Sequence, residues 1–389
     1  MFDISFFKAI DSVKRRIVSG DFGPTDAATV ESALETHRAR EPKVFNVETT
    51  NYCNMTCIMC PRTTLMTRKN IWIDDAVFER VLDQIKPWAT ADLEDFWTFV
   101  RDRWNVRFDR PDENAFYFHI VSRCLILHGY GEPLLDKKIV QRVQSCSARG
   151  IPTYFSCVPA NITVERCRAV MAAGLTVLKF SMDALNDELQ KKIRGKRNNF
   201  SKAFDTILDI LEMKKTEGFD TLIVPTMIAL SNDDEARAMH RQFLDLWTDK
   251  DVFAYVKSQD NRWYFEDQAA AENRSHYESQ YCEFPWTSLT VMADGNVVPC
   301  TQDYDVEMVL GNVMEQSLEE IWNGDRYRDL RHWHVTGRFP PGHKCAERCD
   351  QKKVCGYLGL APATAEPQAP PRPAAPADPS PPAPMSVRG

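Results

Sequence analysis

No run of about 18 apolar residues occurs anywhere in the 389-residue chain, which excludes an ordinary membrane-spanning helix. The N-terminus, Met1-Phe2-Asp3-Ile4-Ser5-Phe6-Phe7-Lys8, lacks an uninterrupted apolar core and a small-residue cleavage site, so it is not a signal peptide. An excess of one charge is missing too. Lys and Arg number 48 against 55 Asp and Glu, and a net charge of −7 gives no reason to expect nucleic acid or an anionic membrane as partner. No internal repeat of solenoid period is present. Proline is abundant in one place only: ten of the 23 fall between Ala361 and Gly389, an Ala/Pro-rich stretch that cannot bury a core and is expected to be a disordered tail (361–389). A chain of this kind is expected in the cytoplasm, where structural disulfides are rare, so its 12 Cys point toward metal.

Before the tail, apolar periodicity alternates between two kinds. Residues 1–42 read as helical, with Phe6, Ile10, Val13 and Ile17 at helical spacing. This segment suits a lid packed on the main domain or a membrane-surface helix. Strands are then expected at Val44–Thr49, Cys124–His128, Ile151–Ser156, Thr176–Met182, Thr221–Ala229 and Val252–Val256. Helices are expected between them at Trp72–Ile85, Lys137–Ala148, Val164–Ala173, Phe204–Lys215 and Glu235–Trp247. Six such units predict an α/β fold, a partial (β/α)6 TIM-like barrel over 43–265 with its chemistry on loops at the strand C-termini. One stretch, about 88–119, interrupts the rhythm with Trp88, Phe96, Trp97, Phe99, Trp104, Phe108, Phe116, Tyr117 and Phe118. It is too aromatic for disorder and either packs structurally or covers the barrel mouth.

Directly after the first strand, Cys53, Cys57 and Cys60 stand at C-x3-C-x2-C spacing. A closed zinc site wants a fourth ligand, and the nearest downstream candidates, His119 and Cys124, lie across the aromatic stretch. Three thiolates on one tight loop suit a [4Fe-4S] cubane with one iron left open. A second set follows late: Cys282, Cys300, Cys345, Cys349 and Cys355. Between Cys282 and Cys300 the sequence reads as a hairpin turning at Ala293-Asp294-Gly295-Asn296, and Ser317 with Glu320 has capping-box spacing. Cys124, Cys146, Cys157 and Cys167 sit among apolar residues and read as core thiols.

The C-x3-C-x2-C loop resembles that of the radical S-adenosylmethionine superfamily, and other segments resemble the family at matching places. Gly129-Tyr130-Gly131-Glu132-Pro133 resembles its glycine-glutamate motif, which implies that Gly131, Glu132 and Pro133 meet the amino group of S-adenosylmethionine. Ser181-Met182-Asp183 resembles the stretch that contacts the cofactor ribose. Ile193-Arg194-Gly195 resembles the basic position that meets its carboxylate, and Asn161 stands where the family often has a polar residue. Met59 stands where many members carry an aromatic, and its thioether suits packing on adenine. The resemblance implies reductive cleavage of the cofactor to a 5′-deoxyadenosyl radical that takes a substrate hydrogen atom.

The late cysteines with their hairpin and helix resemble the SPASM/twitch extension, here over 280–358. The family's C-x2-C is C-x3-C in this chain, and no cysteine follows Cys355. One auxiliary [4Fe-4S] cluster is therefore expected, on Cys282, Cys300 and two of Cys345, Cys349 and Cys355, with a structural zinc as the alternative. Asp303 is the candidate base beside that cluster, with Asp305 as its neighbour, unless both are exposed turn carboxylates. The substrate is expected to be a small molecule such as a sugar derivative that is oxidised, epimerised or rearranged, since only about 42 residues precede the first strand. A peptide-modifying maturase is the alternative, and an electron-transfer protein without radical chemistry is a second. The resemblance further implies a flavodoxin- or ferredoxin-type reductant.

Overall fold

The computed structural model describes residues 1–18, 21–231, 233–258 and 282–348. The expected tail, Cys349 and Cys355 lie outside the described residues. Among the described residues nine strands form one sheet: β1 (Val44–Val47), β2 (Leu125–Ile126), β3 (Thr153–Cys157), β4 (Val177–Ser181), β5 (Leu222–Ala229), β6 (Tyr255–Ser258), β7 (Leu289–Val291), β8 (Asn296–Val298) and β9 (Gly311–Asn312). Their order is β6-β5-β4-β3-β2-β1-β7-β8-β9. The first six are parallel and linked by helical crossovers, as a partial barrel requires. β7 then pairs in parallel with β1, and β8 and β9 continue antiparallel. The late hairpin therefore extends the barrel sheet rather than standing apart from it.

Local chemistry sets the crossover helices. Thr163, Asn199 and Asp233 each cap a helix by accepting a backbone N–H, at 3.2, 2.8 and 2.8 Å. The helix from Phe200 to Glu217 begins a turn before its expected start and stops where Gly218 takes φ 73°. The last barrel strand lies at Tyr255–Ser258, later than Val252–Val256, and β2 is only Leu125–Ile126. Ser317 and Glu320 make the reciprocal capping box that their spacing predicts.

The strands divide their side chains between two cores, alternating in β3 to β5 and broken in β1 by a register shift between Val44 and Asn46. Phe155, Cys157, Leu178, Phe180, Ile223 and Met227 face the crossover helices. Phe45, Ile126, Tyr154, Val177, Val224 and Tyr255 face the inside of the barrel. The aromatic insertion fills that inner side. It forms a helix at Thr90–Trp104, a short one at Glu113–Phe116 and a wider π turn at Tyr117–Val121. The N-terminal segment breaks into helices at Ile4–Ala9, Asp11–Val18 and Ala27–His37. Phe2, Ile4 and Phe7 join the insertion, while Phe6, Ile10 and Ile17 pack with Val30, Leu34 and Trp286. Its apolar stripe is thus taken up inside the molecule. No helix among the described residues is long and apolar enough to cross a membrane.

Phe118 is the hub of this inner packing, with ring centroids 5.2 Å from Trp104, 5.8 Å from Phe7, 6.1 Å from Phe96 and 6.3 Å from Phe2. Phe118→Ala should cost about 3–5 kcal/mol through the cavity it leaves. An unfolding free energy from denaturant titration within about 0.5 kcal/mol of wild type, the range of ordinary surface changes, would refute this packing.

Candidate active site

The first cysteine loop leaves the end of β1 and turns back into one small apolar cluster. Cys53, Cys57 and Cys60 belong to it together with Met55, Met59 and Val158. The Ile58 amide donates to the Ile193 carbonyl at 3.0 Å, and the Thr63 hydroxyl to the Cys57 carbonyl at 2.9 Å, so the loop is pinned on both sides. Burial pushes the Cys53 thiol up to about 12 and Cys60 to about 11, so ligation must strip a proton from each. Among the described residues no three Cys, His, Asp or Glu are placed to hold a single metal ion. A cubane, whose three protein-held irons each take one thiolate, asks for thiols spread more widely than that.

The other motif residues gather around this loop. Gly131 lies so close to β1 that an added Cβ would stand 2.1 Å from the Thr50 carbonyl oxygen, which only glycine permits. Glu132 is 2% exposed, and its carboxylate accepts the amides of Val158 at 2.9 Å and Leu134 at 3.2 Å. It has no ion-pair partner among the described residues, and burial pushes its pKa up to about 7. Pro133 opens the short turn that follows. Asn161 exchanges amide hydrogen bonds with Asn54 of the cysteine loop at 2.9 and 3.0 Å. The Ser181 hydroxyl lies 3.1 Å from that of Ser156. Asp183 and Arg194, read from sequence as separate contacts, form one buried ion pair. Against the desolvation of burial, Asp183 and Cys57 keep the guanidinium charged, with its Nη1 3.7 Å from the Cys57 sulfur.

Beneath these motifs, inside the barrel, lies a cavity of about 260 Å³. Met59 of the first cysteine loop lines it, as do Thr301 and Gln302, which follow Cys300. Glu113, Phe116 and Tyr117 of the insertion form another wall, so the insertion both packs and lines the site. Four lining residues escaped sequence reading: His128, Lys179, Tyr255 and Lys257. The available signal was Lys179 itself, a lysine amid the apolar run of a strand buried on both faces.

The three described late cysteines are buried: Cys282 4%, Cys300 6% and Cys345 5% exposed. None of the described cysteines is in a disulfide, and Cys124, Cys146, Cys157 and Cys167 are at most 2% exposed. The Cys345 sulfur lies 3.6 Å from that of Met308. Asp303 is fully buried rather than exposed. Its carboxylate accepts the amides of Glu307 at 2.9 Å and Met308 at 2.7 Å, which fixes the loop after Cys300, and it does not line the cavity. Burial pushes its pKa up to about 6. Asp305 accepts the Thr67 amide at 2.8 Å and the Arg68 amide at 3.3 Å. Arg68 in turn makes a two-pronged bond to Glu48, at 2.8 and 3.3 Å, and Glu48 also accepts the Ala293 amide at 3.2 Å. This buried pair, also missed from sequence, fastens the cysteine loop, β1 and the late hairpin together.

The family model of the radical SAM superfamily matches residues 47–243, half of the chain. The chain belongs to the radical SAM superfamily. A second model, SPASM, an iron-sulfur cluster-binding domain, matches residues 282–350. The chain is 20% identical over 314 residues to the S-adenosyl-L-methionine-dependent 2-deoxy-scyllo-inosamine dehydrogenase of Niallia circulans, covering 80% of this chain and 94% of that one. Solved structures with a similar fold include BtrN in complex with AdoMet and 2-DOIA, at 17% identity and a TM-score of 0.44, covering 75% of this chain and 86% of that one. Streptococcus suis SuiB bound to precursor peptide SuiA is similar at 14% identity and a TM-score of 0.46, covering 87% of this chain and 76% of that one. As a radical SAM enzyme with a SPASM domain, the protein uses a [4Fe-4S] cluster, S-adenosylmethionine and auxiliary iron-sulfur. The residues present fit these groups: thiols sharing one buried cluster, a buried carboxylate awaiting a cation, and a buried guanidinium beside the loop.

Glu48 is fully buried and Arg68 nearly so, and removing one partner strands the other's charge. Arg68→Met should cost about 3–5 kcal/mol, and adding Glu48→Gln to it should recover part of that loss. Unfolding curves on the two single variants and the double give the coupling; additive losses would sink the assignment.

Proposed function

We propose that this radical SAM enzyme oxidises a small polar molecule at a C–H bond beside a hydroxyl. The observation that carries this is the place of the cavity: its wall includes Met59 from the first cysteine loop and Thr301 and Gln302 directly after Cys300. A substrate there sits between the two iron-sulfur regions. Turning a secondary alcohol into a ketone removes one hydrogen atom, one proton and one electron. When bound, the cubane and S-adenosylmethionine supply a radical that takes the hydrogen atom, and an auxiliary cluster supplies a one-electron acceptor. The proton leaves through the polar cavity wall. Similarity to an inosamine dehydrogenase over most of both chains supports the same reaction type. The fill of insertion and N-terminal helices beneath the cavity favours a small molecule over a peptide.

In this reading Cys53, Cys57 and Cys60 hold the open cubane. Glu132, with the backbone at Gly131 and Pro133, receives the cofactor's ammonium group, which supplies the counter-charge its buried carboxylate lacks. Arg194, steadied by Asp183, meets the cofactor carboxylate, and Ser181 and Asn161 border its ribose. Cys282, Cys300, Cys345 and one of Cys349 and Cys355 hold one auxiliary cluster. Asp303, engaged by two backbone amides, is left out of the proton transfer. A flavodoxin- or ferredoxin-class donor in the cytoplasm provides the starting electron.

Anaerobic turnover of the reconstituted enzyme with S-adenosylmethionine and a chemical reductant tests this. Cys57→Ala should abolish 5′-deoxyadenosine release. Cys300→Ser should still release it while losing the oxidised product. If Cys300→Ser forms product at the wild-type rate, the auxiliary cluster takes no part in the oxidation.

A further inference from the structure

Two lysines line the cavity with no counter-ion among the described residues. Lys179 on β4 and Lys257 on β6 both line it, and neither has an ion-pair partner among the described residues. The Lys179 ammonium group donates to the Tyr255 hydroxyl at 3.1 Å and lies over the rings of Phe116 and Tyr255, at 4.9 and 5.3 Å from their centroids. His128, on the neighbouring strand, adds no negative charge. Its Nδ1 accepts the Ser156 amide at 3.3 Å, and burial followed by the charges of Lys179 and Lys257 pushes its pKa down to about 3. Glu113 is the one carboxylate among the described lining residues.

A buried ammonium group without an ion-pair partner costs several kcal/mol, and a leucine or methionine would extend the apolar stripe that Val177 begins two residues earlier. Among the described residues a hydroxyl and two rings meet the Lys179 ammonium group but no carboxylate pairs with it, which leaves the place of a counter-charge to a ligand. We propose that the substrate carries an anionic group, a carboxylate or a phosphate ester, clamped between Lys179 and Lys257. This rests on the reading of the cavity as the oxidation site and narrows its substrate class. It also separates this chain from its Niallia circulans relative, which is named for an amine. An amine bound here would face two ammonium groups.

Protonation gives the clamp a signature. Burial first, then Lys257, pushes the Lys179 pKa down to about 7, with Arg194 adding to them and with Glu113 and Asp183 opposing. His128 stays neutral in this range, and Tyr255 contributes its hydroxyl. Anion binding restores the full charge on Lys179. Binding should therefore take up close to one proton at about pH 8 and little at about pH 6.

Anaerobic calorimetry on the holoenzyme with S-adenosylmethionine tests the clamp. The probes are D-glucuronate for the carboxylate arm, D-glucose 6-phosphate for the phosphate arm, neutral myo-inositol, and 2-deoxy-scyllo-inosamine. At least one anion should bind about tenfold or more tighter than the neutral and amine probes, with the proton uptake given above. Lys257→Met and Lys179→Met should each lose about tenfold of that affinity, and Lys179→Arg should keep part of it. Lys179→Met should also raise the melting temperature, more at pH 6 than at pH 9. The wild-type penalty is full below the folded pKa and fades as pH climbs toward the unfolded value. A purely structural lysine would give the opposite sign. Equal binding of neutral, amine and anionic probes, no binding by either anion, or unchanged anion affinity in both methionine variants would overturn the clamp. Release of 5′-deoxyadenosine, measured on the same preparations, reports separately on the radical reading.

Discussion

A parallel sheet has to be covered on both faces, and an incomplete barrel cannot cover its inner face with its own strands. That constraint organises this protein. The outer face takes the crossover helices in the usual way. The inner face recruits two segments that belong to no βα unit: the N-terminal helices and the aromatic stretch between β1 and β2. Their rings fill the lower part of the barrel, against Val177, Tyr154 and Val224. The space left toward the strand C-termini is the cavity. Site and plug are thus two outcomes of one packing problem, and the π turn at Tyr117–Val121 is where the plug ends and the site begins.

The upper wall is supplied from far along the chain. Pairing of β7 with β1 brings the late hairpin beside the first cysteine loop. The Tyr130 hydroxyl, within the glycine-glutamate motif, then donates to Gln302 at 2.9 Å. Glu48, Arg68 and Asp305 add the charged fastening. The loop after Cys300 is held by these contacts and by Asp303 from within. Positions on three separate loops thereby become one surface around the cavity.

Much of this was legible in the sequence, because the decisive signals are local. Thiol spacing, the glycine-glutamate turn, strand alternation and the capping box each need only a few neighbouring residues. What escaped depends on long-range partners. Nothing near Glu48 reveals Arg68, and the role of Lys179 emerges only when β6 places Tyr255 and Lys257 opposite it. Asp303 is a different case. Its nearness to Cys300 in sequence suggested chemistry, whereas its carboxylate turns to amides a few residues downstream. The aromatic insertion was read as either packing or a cover for the mouth; it packs from below and also lines the site.

The seam between β1 and β7 bears on how the chain is made. During synthesis the first strand emerges long before its edge partner, so throughout translation of the barrel one side of the sheet presents unpaired amides and carbonyls. The nascent chain must keep that edge from neighbouring polypeptides until the last third arrives. A ribosome stalled before Leu289 would release a sheet with an adhesive border, and overproduction would strain this step before any cofactor is involved.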